Sequence, residues 1–275
     1  MADINGGTAI TMTILKDLVG ALPADVELTM VGGQAMLIWQ GYFQAIYPEA
    51  FENAVDVAFG TQDIDFVVKD FKAVEAIVDA WRPRVAATVR RPDPDHATPN
   101  IAVIEIDIGE GEPIIIDFLD AWAKPNRIKN WYPDLVPIEM SNRELKVLGV
   151  RAVLLSKIAN MLVVGRHGEV YAKQVRGAML LLRLFITKQL DDGDRLAYRN
   201  LLFALELAMA PRIGSAMLFK HGVELLDSIP LNHQGIDSRY RERTLKPALD
   251  RIADKRRTLH ERMAQSRQRS TLPAK

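Results

Sequence analysis

The sequence predicts an α+β protein, with a small mixed-sheet domain over residues 1–140 and a helical domain over 141–275 that ends in a basic tail. Three observations lead there. Residues 26–31 read as a strand that runs into Gly32-Gly33, with a helix opening at Gln34. Residues 61–68, Thr-Gln-Asp-Ile-Asp-Phe-Val-Val, alternate between polar and apolar as a half-buried strand does. From Ser141 onward apolar residues recur at helical spacing, broken near Gly165, Gly193, Pro211 and Pro230.

Taken in order, residues 8–20 form a short helix that stops at Gly20, and Leu22-Pro23 leads into the strand at 26–31. Gly32-Gly33 is the turn, and the next helix runs from Gln34 to Gln44. A strand, two glycines and a helix N-terminus gather backbone N–H groups, a favourable place for a phosphate. The segment between Tyr42 and Gly60, with Tyr47-Pro48-Glu49 inside it, is either a lid or an irregular loop. Lys69-Asp70 closes the acid-bearing strand, and Phe71, Val74, Ile77 and Val78 mark a helix to Trp81.

Residues 90–96 (Arg-Arg-Pro-Asp-Pro-Asp-His) are turn-rich, and His96 reads as a solvated loop residue. Residues 101–108 and 113–119 are two β-rich runs joined by Gly109-Glu110-Gly111-Glu112, a hairpin pattern. Trp122, Lys124, Arg127, Lys129, Trp131 and Tyr132 then interleave aromatic and basic residues, which suits either a nucleobase clamp or a surface connection. Helices are expected at 149–164, 169–190, 194–209, 212–227 and 238–268.

The chemistry concentrates in the carboxylates. Asp63 and Asp65 are spaced i, i+2 on a strand, so they share a face while Ile64, Phe66 and Val68 take the other. Asp117, between Ile116 and Phe118, is costly to bury without a cation or solvent beside it. Acids converging on one face suit Mg²⁺, which prefers oxygen ligands and is usually held by one or two carboxylates plus substrate phosphates. Residues 151–164 are apolar and helical, with Lys157 nearly the only charge in the run. Its ammonium reaches either water or an anion such as a triphosphate. Polar groups that merely face water from a strand edge remain the bland reading of the acid pair.

Gly32-Gly33, Thr61 before Asp63-x-Asp65, and the later apolar-Asp117-apolar strand together resemble the DNA polymerase beta-type nucleotidyltransferase superfamily. Within it, Gly-Gly-Gln-Ala followed by Thr-x-Asp-Ile-Asp is most similar to the AbiEii-like branch, which includes toxins of some toxin and antitoxin pairs. The resemblance spans roughly residues 25–185. It implies that Gly32, Gly33 and Thr61 lie at the triphosphate, that Asp63, Asp65 and Asp117 hold catalytic Mg²⁺ or Mn²⁺, and that Lys157 and Arg166 steady the nucleotide. The implied reaction moves a nucleoside monophosphate from an NTP to an acceptor hydroxyl, with RNA, especially tRNA, as the first acceptor to test. A protein hydroxyl or a small molecule comes next, and an antitoxin protein is an implied partner. The chain departs from the branch where Lys-Asp-x-x-Asp is expected, reading Lys173-Gln174-Val175-Arg176 instead. That departure leaves three alternatives: another acid as base, a different acceptor, or a nucleotide- or RNA-binding module without turnover.

Composition bounds the rest. With 275 residues, 48% of them hydrophobic, the chain can bury a substantial core. It has no cysteine, which removes disulfides, thiolate-bound zinc and a thiol nucleophile. The sequence begins without a signal-peptide pattern and has no run of spanning length, so a cytoplasmic location and no membrane partner are expected. Net charge is zero, but residues 238–275 carry twelve Lys or Arg against four Asp or Glu, a balance of +8 that leaves −8 elsewhere. Such a tail fits an RNA backbone or an acidic partner, or simply a solvated terminal helix.

Overall fold

The computed structural model describes residues 12–23, 26–59, 63–92, 100–107, 113–120 and 134–270, with the backbone alone at 12–15 and 263–270. The architecture is α+β, as the patterning predicts, and the chain divides into two compact units, residues 1–157 and 158–275.

The first unit is built on a seven-stranded mixed sheet. Its strands are β1 (Thr29–Met30), β2 (Asp63–Val68), β3 (Ala86–Arg90), β4 (Asn100–Asp107), β5 (Ile114–Asp120), β6 (Leu135–Met140) and β7 (Arg143–Leu148). Their order across the sheet is β3-β4-β5-β2-β1-β7-β6. β2 runs parallel to β5 and β1 parallel to β7; the remaining pairs are antiparallel. Alternation along β2, β4 and β5 turns Ile64, Phe66, Val68, Ala102, Ile104, Ile106, Ile114, Ile116 and Phe118 into the core. Each large side chain buried there contributes roughly 1.5–3 kcal/mol.

Helix α1 (Met12–Gly20) precedes β1, and α2 (Gly32–Ile46) follows it. Helices α3 (Pro48–Glu52) and α4 (Phe71–Trp81) lie before and after β2. Asp70 caps α4 by accepting the Ala73 N–H at 3.1 Å, and the Trp81 indole N–H donates to the Leu18 carbonyl at 3.0 Å. Trp81 also meets Phe118 at 6.4 Å between ring centroids, which seats α4 over the apolar face of the sheet. On α2 the Trp39 indole N–H donates to Leu148 O at 2.9 Å, tying that helix to the end of β7.

Several expectations need correction. Residues 26–31 yield only a two-residue strand, and the helix after it begins at Gly32, so both glycines belong to its first turn. The segment 42–60 contains α3, with Pro48 in its first turn, where a missing N–H costs nothing. Residues 135–148 form the β6–β7 hairpin, not a lead-in to helices. Since β7 pairs with β1, with Thr29 opposite Lys146, the sheet unit extends past the expected boundary at 140. The aromatic and basic residues at 122–132, His96 and the turn at 109–112 lie outside the described residues.

Helix α5 (Val150–Leu162) follows β7 and runs across the unit boundary. The second unit holds α6 (Glu169–Asp191), α7 (Leu196–Met209), α8 (Ala216–His221), α9 (Ser238–Tyr240) and α10 (Lys246–Ser270). The helix expected at 212–227 is broken, because Gly222 takes φ +64° and ends α8 before a 3₁₀ turn at Leu225–Ser228. Among the described residues no single helix is long and apolar enough to cross a membrane.

Candidate functional site

The acid-bearing face follows from strand register. β2 and β5 are parallel neighbours, and Asp65 stands opposite Asp117. Directly opposed residues share a face, about 4.8 Å apart along the hydrogen-bonding direction. Phe66 and Phe118, the next pair along, are fully buried on the other side, with rings 5.8 Å apart. Asp65 and Asp117 are both partly exposed. Asp63, two residues before Asp65 on the same face, is exposed.

The start of α2 closes against this pair. The Val31 N–H donates to the Asp65 carbonyl at 3.0 Å, which ties the residue before the helix to β2. Gly32 follows with φ +62°, a backbone state that glycine adopts without strain. A Cβ there would lie 1.7 Å from Asp65 Oδ2, so the carboxylate occupies the space a side chain would need. Gly33 and Gln34 are buried in the same turn. Both polar atoms of the Gln34 side chain are buried without a hydrogen-bond partner.

Asp117 has a neighbour that sequence reasoning missed. The Asn100 side-chain NH₂ donates to Asp117 Oδ1 at 3.1 Å. In the sequence Asn100 is only a polar residue heading an apolar strand; its contact depends on the β4–β5 register, which composition does not carry.

The other expected residues divide as follows. Lys157 is 6% exposed, so nearly all of the residue is buried. Arg166 is exposed on the link between α5 and α6, in the second unit. Thr61 lies outside the described residues. Arg176, in the stretch that begins at Lys173, pairs with Glu169 at 2.7 Å and donates to Gly222 O at 3.4 Å. Part of the basic tail also has internal partners. Arg241 donates to the carbonyls of Leu231 and His233, and Arg256 forms a two-pronged pair with Glu224.

A hard divalent cation fits the donor chemistry of the Asp65 and Asp117 pair, two opposed carboxylates that share a strand face. Among the described residues no group of three or more His, Cys, Asp or Glu side chains is gathered to hold a metal ion. The fit is therefore to a cation completed by phosphate oxygens and water, not to a closed protein cage.

No protein-family model matches the chain, and no curated protein matches it. Among solved structures it is similar to an antigenic nucleotidyltransferase-like protein from Paracoccidioides brasiliensis, at 13% identity over 92% of this chain and 94% of that one, with a TM-score of 0.39. It is also similar to the Megavirus polyadenylate synthase, at 12% identity and TM-score 0.38, over 69% of this chain but 38% of that one. A third likeness is the antibiotic-resistance factor ANT(2'')-Ia, at 16% identity over 71% of this chain and 97% of that one, with TM-score 0.36. All three are distant likenesses.

Proposed function

We propose that the protein is a Mg²⁺- or Mn²⁺-dependent nucleotidyltransferase that moves a nucleoside monophosphate from an NTP to an acceptor hydroxyl, with release of pyrophosphate. The observation that carries this reading is the opposed pair Asp65 and Asp117, with Asp63 on the same face and Gly32 against Asp65. A strand face that merely met water would have little use for acids set against each other, since like charges directly opposed are destabilising. When bound, the metal would neutralise phosphate charge and lower the pKa of the acceptor hydroxyl.

Asp65 and Asp117 would hold the cation, with Asp63 beside them. Gly32 keeps the approach to Asp65 free of side chain, and the backbone N–H groups at the start of α2 suit a phosphate. Lys157 is proposed to steady the triphosphate. The acceptor class proposed for testing is RNA, tRNA first, with a protein hydroxyl or a small molecule as the alternatives. A toxin-type role, with an antitoxin protein as partner and a cytoplasmic setting, belongs to the same proposal.

A second reading, a nucleotide or RNA binder without turnover, is favoured by one observation. Counted from Lys173, the two acids of the branch pattern fall at Gln174 and Gly177, and neither position carries a carboxylate. One experiment separates the two. Each labelled NTP is incubated with Mg²⁺, total RNA and cell extract, using the wild type and the Asp63→Asn, Asp65→Asn double variant. Label transferred by the wild type alone supports the enzyme and identifies its acceptor class. NTP binding with no transfer supports the binder, and absence of transfer together with absence of both NTP and RNA binding overturns both readings.

A further inference from the structure

The β4–β5 ladder is irregular at one point. Ala102 pairs with Phe118, but Asn100 pairs with Leu119, so β4 advances two residues where β5 advances one. Ile101 is the extra residue of a β-bulge. An unbroken antiparallel ladder would set Ile101 opposite Leu119 and turn Asn100 toward the face of Ala102 and Phe118, both fully buried. The bulge brings Asn100 instead to the face of Leu119, which is also the face of Asp117. There its side-chain NH₂ reaches Asp117 Oδ1 at 3.1 Å. An ionised carboxylate only accepts hydrogen bonds, so the amide must present nitrogen and not oxygen to it.

We infer that Asn100, delivered by the bulge, is a positioning residue for the Asp117 carboxylate, holding one oxygen so that the plane of the group is set for a divalent cation shared with Asp65. This rests on the proposed function for the cation itself. The physical reason is general: partners that hydrogen-bond a ligating carboxylate fix its orientation, and their loss typically costs about 10–100-fold in metal affinity. Asn100 would touch neither nucleotide nor acceptor.

The test uses the full chain and calorimetry with two probes, Mn²⁺ alone and Mn²⁺ with a non-hydrolysable NTP analogue. Asn100→Leu, which removes the donor at similar size, is expected to weaken Mn²⁺ by about 10–100-fold. Asn100→Gln, which keeps an NH₂ group, is expected to recover part of that loss; a merely space-filling role would be served better by leucine. Mn²⁺ affinity in Asn100→Leu equal to that of a folded wild type overturns the inference while leaving the nucleotidyltransferase reading intact. A wild type that binds neither probe overturns that reading, and the inference falls with it. Should the variants not fold, the side-chain amide signal of Asn100 in the ¹H–¹⁵N spectrum of the wild type decides. Broadening by Mn²⁺ is expected, and an unperturbed signal beside perturbed neighbours of Asp65 overturns the inference.

Discussion

Gly32 and Asp65 are mutually exclusive with any larger residue at position 32. The glycine has φ +62°, and a Cβ built on it would sit 1.7 Å from the Asp65 Oδ2 atom. Two separate constraints, backbone conformation and occupied space, therefore fall on one residue of the turn that enters α2.

Gly32→Ala is expected to damage the acid site far more than the fold. The left-handed backbone alone costs an alanine about 1–2 kcal/mol. Displacing the Asp65 carboxylate adds a loss of about 10²-fold in nucleotidyl transfer, since a shift near 1 Å at a reacting centre has that effect. Gly193→Ala is the control, because Gly193 has φ +69° with nothing within 4 Å of its would-be Cβ. Urea denaturation of both variants should show similar backbone costs, and only Gly32→Ala should lose divalent-dependent NTP binding.

The parts of this site that were legible in the sequence are those written in period-two alternation. Asp63 and Asp65 against Ile64 and Phe66, and Asp117 against Ile116 and Phe118, declare a strand with an acid face. The β6–β7 hairpin also has a local signal in the sequence. Ser141 and Asn142 both have positive φ, +54° and +60°, the mark of a two-residue type I′ turn, and Leu145 and Val147 alternate with Glu144 and Lys146 behind them. Serine is a weak cue for that turn beside the stronger helical pattern after 149. The opposition of Asp65 to Asp117 and the contact of Asn100 with Asp117 depend on pairing register, a property of two strands together that no single strand's pattern states.

Removing divalent metal should remove the nucleotide's effect on stability. A ligand that binds only the folded state stabilises it by about 2.7 kcal/mol at 100 times its Kd. Thermal unfolding with a non-hydrolysable NTP analogue is therefore expected to shift upward with Mg²⁺ and return to baseline with EDTA. In Asp65→Asn the shift should be absent at the same concentrations, because half of the opposed carboxylate pair is gone. A shift that survives EDTA would mean the nucleotide binds without the acids.

Gln34 is expected to be a place where the fold gives up stability. Its amide is fully buried and neither polar atom has a partner, a state that costs about 1–3 kcal/mol. Gln34→Met keeps the length and shape while removing the polar atoms, so urea unfolding should show a gain of about 1–3 kcal/mol. A loss of transfer activity alongside the gain would tie the amide to substrate, and a gain with full activity would mark it as a structural residue.

Asp227 should make the helical unit respond to acid in a direction opposite to most carboxylates. Asp227 is exposed, and the partial desolvation it does meet raises its pKa above the ordinary value, with Glu224 adding to the rise against the opposing pull of Arg183 and Arg256. A carboxyl whose folded-state pKa is raised binds protons more readily in the folded state than in the unfolded one. Its ionised form therefore weakens the fold at neutral pH, and that penalty is relieved as pH falls through the raised pKa toward the ordinary value of 3.8. Because the group is exposed and screened by solvent, Asp227→Asn should stabilise the protein only slightly near pH 7, with the advantage shrinking on acidification below the raised pKa. Urea midpoints of the variant and the wild type, measured between pH 7 and pH 4, check the sign. A variant less stable at neutral pH would mean that the pull of Arg183 and Arg256 outweighs partial desolvation and Glu224, so that the ionised carboxylate holds this part of the helical unit together.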